Sequence, residues 1–138
     1  GQRQHQIYQR LLQRYQRVIL IGSDSPQLTA DLLHQAIDTL RTEQFVVGPA
    51  LDGGYYLFAG KSQLSQEFWT HLSYSRADTC DNLLAALPAK ASLLAPITDL
   101  DTAEDLPQLH RELTALGAAL SPQQRAVMTW IETQEKYR

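Results

Sequence analysis

Between positions 18 and 21 the chain passes through four uninterrupted apolar residues, Val18-Ile19-Leu20-Ile21, and stops on Gly22-Ser23-Asp24-Ser25-Pro26. A run this short, rich in β-branched residues and closed by turn formers predicts a strand. Its lack of polar alternation predicts burial on both faces, at the centre of a parallel sheet. Helical periodicity flanks it on both sides. Ile7, Tyr8, Leu11, Leu12 and Tyr15 recur at three- and four-residue intervals, with Gln and Arg opposite, and predict a leading amphipathic helix within 1–17. After Pro26, Thr29 is placed to cap a helix carrying Leu32, Leu33, Ala36, Ile37 and Leu40. A strand set between helices restricts the fold to the α/β class.

The pattern continues along the chain. Phe45-Val46-Val47-Gly48 and Tyr55-Tyr56-Leu57-Phe58 read as strands separated by Pro49 and the Gly53-Gly54 pair. Ser62 or Ser65 opens a short helix through Phe68, Trp69 and Leu72; Asp78 opens another with Leu83, Leu84 and Leu87, stopped by Pro88. Ser92 to Ile97 is the last expected strand. Thr102 caps a helix from Ala103 to about Leu116, and Ser121-Pro122 opens a terminal helix within 118–138. No internal repeat appears, and 1–138 reads as a single domain: a three-layer α/β sandwich with a mostly parallel sheet.

At 138 residues, 43% hydrophobic and 20% charged, the chain can bury one core. A net charge of −3 with scattered Lys and Arg offers no footprint for nucleic acid. Cys80 is the single cysteine, which excludes an internal disulfide or a thiolate zinc cluster and fits a reducing compartment. No apolar stretch approaches the roughly 20 residues of a membrane span, and the opening Gly1-Gln2-Arg3-Gln4-His5-Gln6 lacks a signal-peptide core, so a cytoplasmic location is expected.

The residues with chemical potential are mainly carboxylates. Asp24 follows the first strand, where its side chain would project into the crevice above the sheet. Ser23 and Ser25 could orient it, although an Asx-turn explains Asp24 equally well. In Asp99-Leu100-Asp101-Thr102-Ala103-Glu104-Asp105, the Thr102 and Asp105 pair forms a capping-box variant that leaves Asp99 and Asp101 unexplained. Brought near Asp24, those two would repel it unless a divalent cation neutralised them. Asp52-Gly53-Gly54-Tyr55-Tyr56 could wall a substrate pocket: the glycines admit a ligand, Asp52 accepts hydrogen bonds from hydroxyls, and the tyrosines stack. The competing reading is a hairpin turn with its tyrosines in the core. His5, His34, His71 and His110 lack metal-ligand spacing, and Cys80 lacks a basic activator.

Three motifs in order carry a resemblance: Ile-Gly-Ser-Asp-Ser-Pro-Gln-Leu at 21–28, Val-Gly-Pro-Ala-Leu-Asp-Gly-Gly-Tyr-Tyr-Leu at 47–57, and Asp-Leu-Asp-Thr-Ala-Glu-Asp-Leu at 99–106. Over roughly positions 7 to 116 the chain resembles a bacterial GT-A-like family of predicted glycosyltransferases, long catalogued as a domain of unknown function. That family lies in the nucleotide-diphospho-sugar transferase superfamily and is related to molybdenum-cofactor and 2-phospholactate guanylyltransferases. The resemblance implies a nucleotide sugar or nucleoside triphosphate as donor, a small-molecule acceptor and Mg2+ or Mn2+. It implies Asp24 as the metal-binding acid and Asp101 as a second metal-facing position, with Asp99 beside them. Asp52, Gly53 and Gly54 fall on the acceptor or sugar side, with Asp24 and Asp52 as the catalytic candidates and Ser23 beside the bound donor.

Relatives begin with a strand and a glycine- and basic-rich nucleotide loop that nothing before Val18 matches. The chain is therefore expected to hold the C-terminal part of the fold, to expose a sheet edge, and to self-associate. The expected function is metal-dependent glycosyl or nucleotidyl transfer; the alternative is a non-catalytic interaction or dimerisation domain descended from such an enzyme.

Overall fold

The computed structural model describes residues 1–134. Its elements are α1 (Gln2–Leu12), β1 (Val18–Ile21), α2 (Ala30–Thr39), β2 (Phe45–Pro49), β3 (Tyr55–Gly60), α3 (Gln66–His71), α4 (Thr79–Ala86), β4 (Ala91–Leu93), α5 (Leu106–Leu116) and α6 (Pro122–Glu132). The last positions of the expected terminal helix, 135–138, lie outside the described residues.

Local chemistry fixes most helix starts. The Thr29 hydroxyl accepts from the Leu32 N–H, and Ser65, rather than Ser62, caps α3 by accepting from the Phe68 N–H. Ser121 and Gln124 form a reciprocal capping box at α6. Thr102 and Asp105 do the same for a 3-10 turn at Ala103–Asp105, which leads into α5. At α4 the expected capping bond is missing: Asp78 occupies the cap position, but its carboxylate accepts from Arg76 Nε at 3.0 Å.

The four strands lie in the order β1-β3-β2-β4. The sheet is mixed, not mostly parallel as the strand and helix alternation suggests. β1, β2 and β4 do share one direction, and α2 makes the crossover from β1 to β2. β3, however, returns through the short link at 50–54 and inserts between β1 and β2, antiparallel to both; only β2 and β4 pair in parallel. A link of that length reaches only an antiparallel neighbour, since a parallel return needs a crossover. β1 is consequently an edge strand of this sheet rather than its centre, and Ile21 is 52% exposed. The doubly buried strands are β2 and β3. The last expected strand is also shorter: Pro96 has no N–H to donate, and the ladder lapses after Leu94 until Ile97 bridges to Ala50.

Helices cover both faces, giving the expected three layers. On one face Tyr8 of α1, Trp69 of α3 and Leu83 of α4 pack with Val18, Phe45, Val47 and Phe58. Tyr8 and Trp69 both contact the Phe58 ring, at centroid distances of 5.6 and 5.1 Å, and the Tyr8 hydroxyl donates to the Ser62 carbonyl. On the other face Ala36 and Leu40 cover Val46, Leu57, Ala59 and Ile97. A third cluster, Leu106, Leu109, Leu113, Leu120 and Ile131, joins α5 to α6 and receives Leu100 at its border.

Candidate functional site

The carboxyl ends of β1 and β2, with the segment after β4, open into a cavity of about 700 Å³. Asp24 stands on the turn after β1, Asp52 and Gly54 on the β2–β3 link, and Asp99 and Asp101 on the segment entering α5; all five line this cavity. One oxygen each from Asp24, Asp99 and Asp101 lies within 4.8 Å of the others.

The placement of the pair follows from the residue between them. Side chains of an extended segment alternate. Leu100 turns into the α5–α6 cluster while Asp99 and Asp101 turn to the cavity, and the Leu100 N–H donates to the Asp24 carbonyl at 2.9 Å. That backbone bond brings the two acid loops together. Ser25 Oγ donates to Asp99 Oδ1 at 3.4 Å, and Ser23 Oγ to Asp24 Oδ1 at 3.0 Å. Asp105 Oδ2 accepts from the Asp101 and Thr102 N–H groups, holding the approach to α5. Burial, reinforced by the charges of Asp101, Asp24 and Asp52, pushes the Asp99 carboxyl above its ordinary range.

The β2–β3 link combines both readings of its sequence. It is a turn, in which Gly53 N–H donates to Ala50 O and Gly54 N–H to Asp52 Oδ1 at 2.9 Å. Gly53 has φ +93°, and a Cβ there would stand 1.9 Å from the Ala77 carbonyl oxygen. Its own carbonyl accepts from the Cys80 N–H in the first turn of α4. Gly53 thus lies off the cavity lining, against the loop before α4, and Ser23 also lies off the lining. Tyr56 packs in the core with its hydroxyl donating to Ala95 O, over Gly48, where a Cβ would strike the ring. Tyr55 remains at the cavity, its hydroxyl accepting from Gln4 Nε2 at 3.4 Å.

The structure adds lining residues that no motif marks: Tyr74, Ser75 and Arg76 on the loop before α4, Ile19 and Leu20 of β1, and Gln4 of α1. Arg76 is the one basic side chain among the described residues that line the cavity. Ser75 takes the left-handed φ of +57°, unusual outside glycine. The only sequence signal for this loop is a polar stretch between two helical patterns, and nothing in its spacing connects it to Asp24 or Asp52. Cys80 lies buried behind the loop, where burial and the Asp81 charge push its thiol up, in keeping with an inert residue.

A family model described as "Uncharacterized protein conserved in bacteria (DUF2064)" matches residues 1–76, more than half of the chain. The chain belongs to that family. The DUF2064 match takes in Asp24 and Asp52 and ends at Arg76; Asp99 and Asp101 lie beyond it. A crystal structure of a "putative nucleotide-diphospho-sugar transferase" from Desulfovibrio desulfuricans G20 is similar across 98% of this chain, with a TM-score of 0.75 and 26% identity. The match takes in 60% of that protein, so the DUF2064 chain spans about three-fifths of its length. No curated protein matches the chain. No helix of the structure is long and apolar enough to cross a membrane, among the described residues.

Proposed function

We propose that this chain carries the metal-facing part of a glycosyltransferase or nucleotidyltransferase that uses a nucleotide-activated donor. The observation that carries the reading is the convergence of Asp24, Asp99 and Asp101, three carboxylates from two separate loops with oxygens within 4.8 Å, at the strand ends of a fold shared with a nucleotide-diphospho-sugar transferase relative. Three acids in one place suit a hard divalent cation in charge and in donor type, and Mg2+ and Mn2+ take such oxygen ligands. Like charges so close oppose each other unless a cation intervenes; burial first, and then the charges of Asp101, Asp24 and Asp52, hold the Asp99 carboxyl above its ordinary range.

The residue roles follow from position. Asp24, Asp99 and Asp101 would hold the cation, with Ser23 and Ser25 each fixing one oxygen, of Asp24 and Asp99, through the bonds described. When bound, the cation would shield the donor's phosphates and stabilise the charge that develops on the leaving group. Asp52, fixed by the Gly54 N–H and near enough for its charge to act on Asp99, is placed to accept a proton from an acceptor hydroxyl. Arg76 supplies the cavity with a cation for an anionic ligand group, and Tyr55 with a partly buried aromatic wall. The exposed β1 edge, with Ile21 and the nearby Ile7 each 52% exposed, supports self-association as part of the same reading.

Thermal unfolding in the presence of manganese tests the proposal, alone and with a panel of nucleotide sugars and nucleoside triphosphates. A cation at a hundred times its Kd stabilises the chain by about 2.7 kcal/mol. The expected result is manganese-dependent stabilisation, increased by one nucleotide class and abolished by Asp24→Ala and by Asp101→Ala. An unmutated chain whose unfolding manganese leaves unchanged would refute the metal reading.

A further inference from the structure

The acid loops are gripped from outside the cavity by one partly buried polar cluster. Gln27, three residues after Asp24, is 3% exposed, and Thr98, immediately before Asp99, is 4% exposed. Both bond to a single side chain of α5, Glu112. Gln27 Nε2 donates to Glu112 Oε2 at 2.7 Å and to the Thr98 carbonyl at 2.7 Å. The Thr98 N–H donates to Glu112 Oε2 at 3.1 Å and the Thr98 hydroxyl to Oε1 at 2.8 Å. Gln108, one turn earlier on α5, donates to the same Oε1 at 3.0 Å. Gln27, Thr98 and Glu112 all lie outside the cavity lining.

This arrangement ties the Asp24 loop to the Asp99–Asp101 segment through an α5 carboxylate that bonds to Gln27 and Thr98 and lies outside the cavity lining. The three cavity carboxylates repel one another, so the loops that carry them need an opposing restraint. The backbone bond from Leu100 to Asp24 supplies part of it, and the Glu112 cluster supplies charge-assisted bonds in a partly desolvated setting, where such bonds are strong. A cation site depends on this kind of restraint, because ligand oxygens must be held at fixed separations before the ion arrives.

We propose that Glu112 and Gln27 are positioning residues: a clamp that fixes the separation of the two acid loops and thereby sets cation affinity without contacting the cation. The inference rests on the reading of Asp24, Asp99 and Asp101 as cation ligands. Removal of outer partners of metal ligands ordinarily weakens binding about 10- to 100-fold. The two clamp residues act as one unit, so removing both should weaken binding no further than removing one.

The test is equilibrium binding of Mn2+ to the full chain, read from the electron paramagnetic resonance signal of the free ion, beside urea unfolding of each variant. Glu112→Ala and Gln27→Ala are each expected to weaken manganese binding at least about tenfold, with the double variant no weaker than the weaker single one. Leu40→Ala, which empties part of the core between α2 and the sheet, away from the α5–α6 cluster that seats Leu100, is the control: it lowers stability while keeping the unmutated Kd. If Glu112→Ala does not fold, Gln27→Ala, which leaves the Glu112 bonds to Thr98 in place, carries the comparison. Unmutated affinity in the clamp variants overturns the clamp alone, as does an equal loss of affinity in Leu40→Ala. No binding by the unmutated chain overturns the metal reading and the clamp together.

Discussion

Leu100 and Gly53 do the most at the scale of single residues, and neither is a chemical group of the site. Leu100 packs, partly buried, against the α5–α6 cluster, and this turns its two aspartate neighbours to the cavity together. The consequence is a cluster of like charges that opposes the fold. Asp99 has its carboxyl raised by burial and by the charges of Asp101, Asp24 and Asp52, so the folded chain binds that proton more tightly than the unfolded chain does. The ionised form therefore costs stability at neutral pH, and the cost is relieved as the pH falls through the folded value toward the ordinary 3.8. Asp99→Asn should raise the melting temperature of the chain in EDTA and remove its response to manganese; a lower melting temperature in EDTA would contradict the like-charge account. Gly53→Ala meets two obstacles, a φ of +93° and a carbonyl oxygen 1.9 Å from the new Cβ. Backbone strain of this type costs on the order of 1–3 kcal/mol, measurable by urea unfolding, and the displaced Ala77 carbonyl should disturb the Arg76 loop as well.

At the scale of elements, what could be read from the sequence was what short-range chemistry decides. The caps Thr29, Ser65 and Ser121 and the Thr102–Asp105 box stand at helix starts because a hydroxyl or carboxylate meets an N–H two or three residues away. Strand order is decided elsewhere. Val18–Ile21 carries the apolar run of a central strand and is nevertheless at the edge of this sheet, since the 50–54 link folds β3 into the place beside it. The acids of the cavity were legible because each follows an apolar run; Arg76, Gln27 and Glu112 were not. Glu112 occupies the polar side of a helical pattern, where a carboxylate ordinarily meets water, and only tertiary contact places Thr98 and Gln27 against it. Burial pushes its carboxyl up, but hydrogen bonds from Gln108, Thr98 and Gln27 outweigh burial and leave it below the ordinary 4.5. A depressed folded value adds stability above pH 4.5 that is lost as the pH falls through that folded value. Urea unfolding at a series of pH values should therefore show a steeper acid loss for the unmutated chain than for Glu112→Gln; parallel curves would show that the clamp carboxylate is not held ionised.

At the scale of the whole molecule, two apolar clusters lie on the faces of the sheet and a third between α5 and α6, with the α5–α6 pair attached partly through polar bonds to the acid loops. Besides the Glu112 cluster, Gln124 of α6 donates to the Pro26 and Leu28 carbonyls, both at 3.1 Å. The C-terminal helices thus brace the turn after β1, beyond the stretch the DUF2064 model matches. The opposite boundary is less covered: β1 has a strand on one side only, and Ile21 stands exposed at its end. Sedimentation velocity should show concentration-dependent association of the chain that Ile21→Lys suppresses, because a charge at an open strand edge opposes pairing. A monomer at all concentrations would remove self-association from the account. The central claim, that Asp24, Asp99 and Asp101 together hold a divalent cation, is tested most directly by diffraction from manganese-soaked crystals at the manganese absorption edge. The expected map has an anomalous peak within ligand distance of all three carboxylates; a map with no peak there, in crystals that show manganese elsewhere, would contradict a shared cation site.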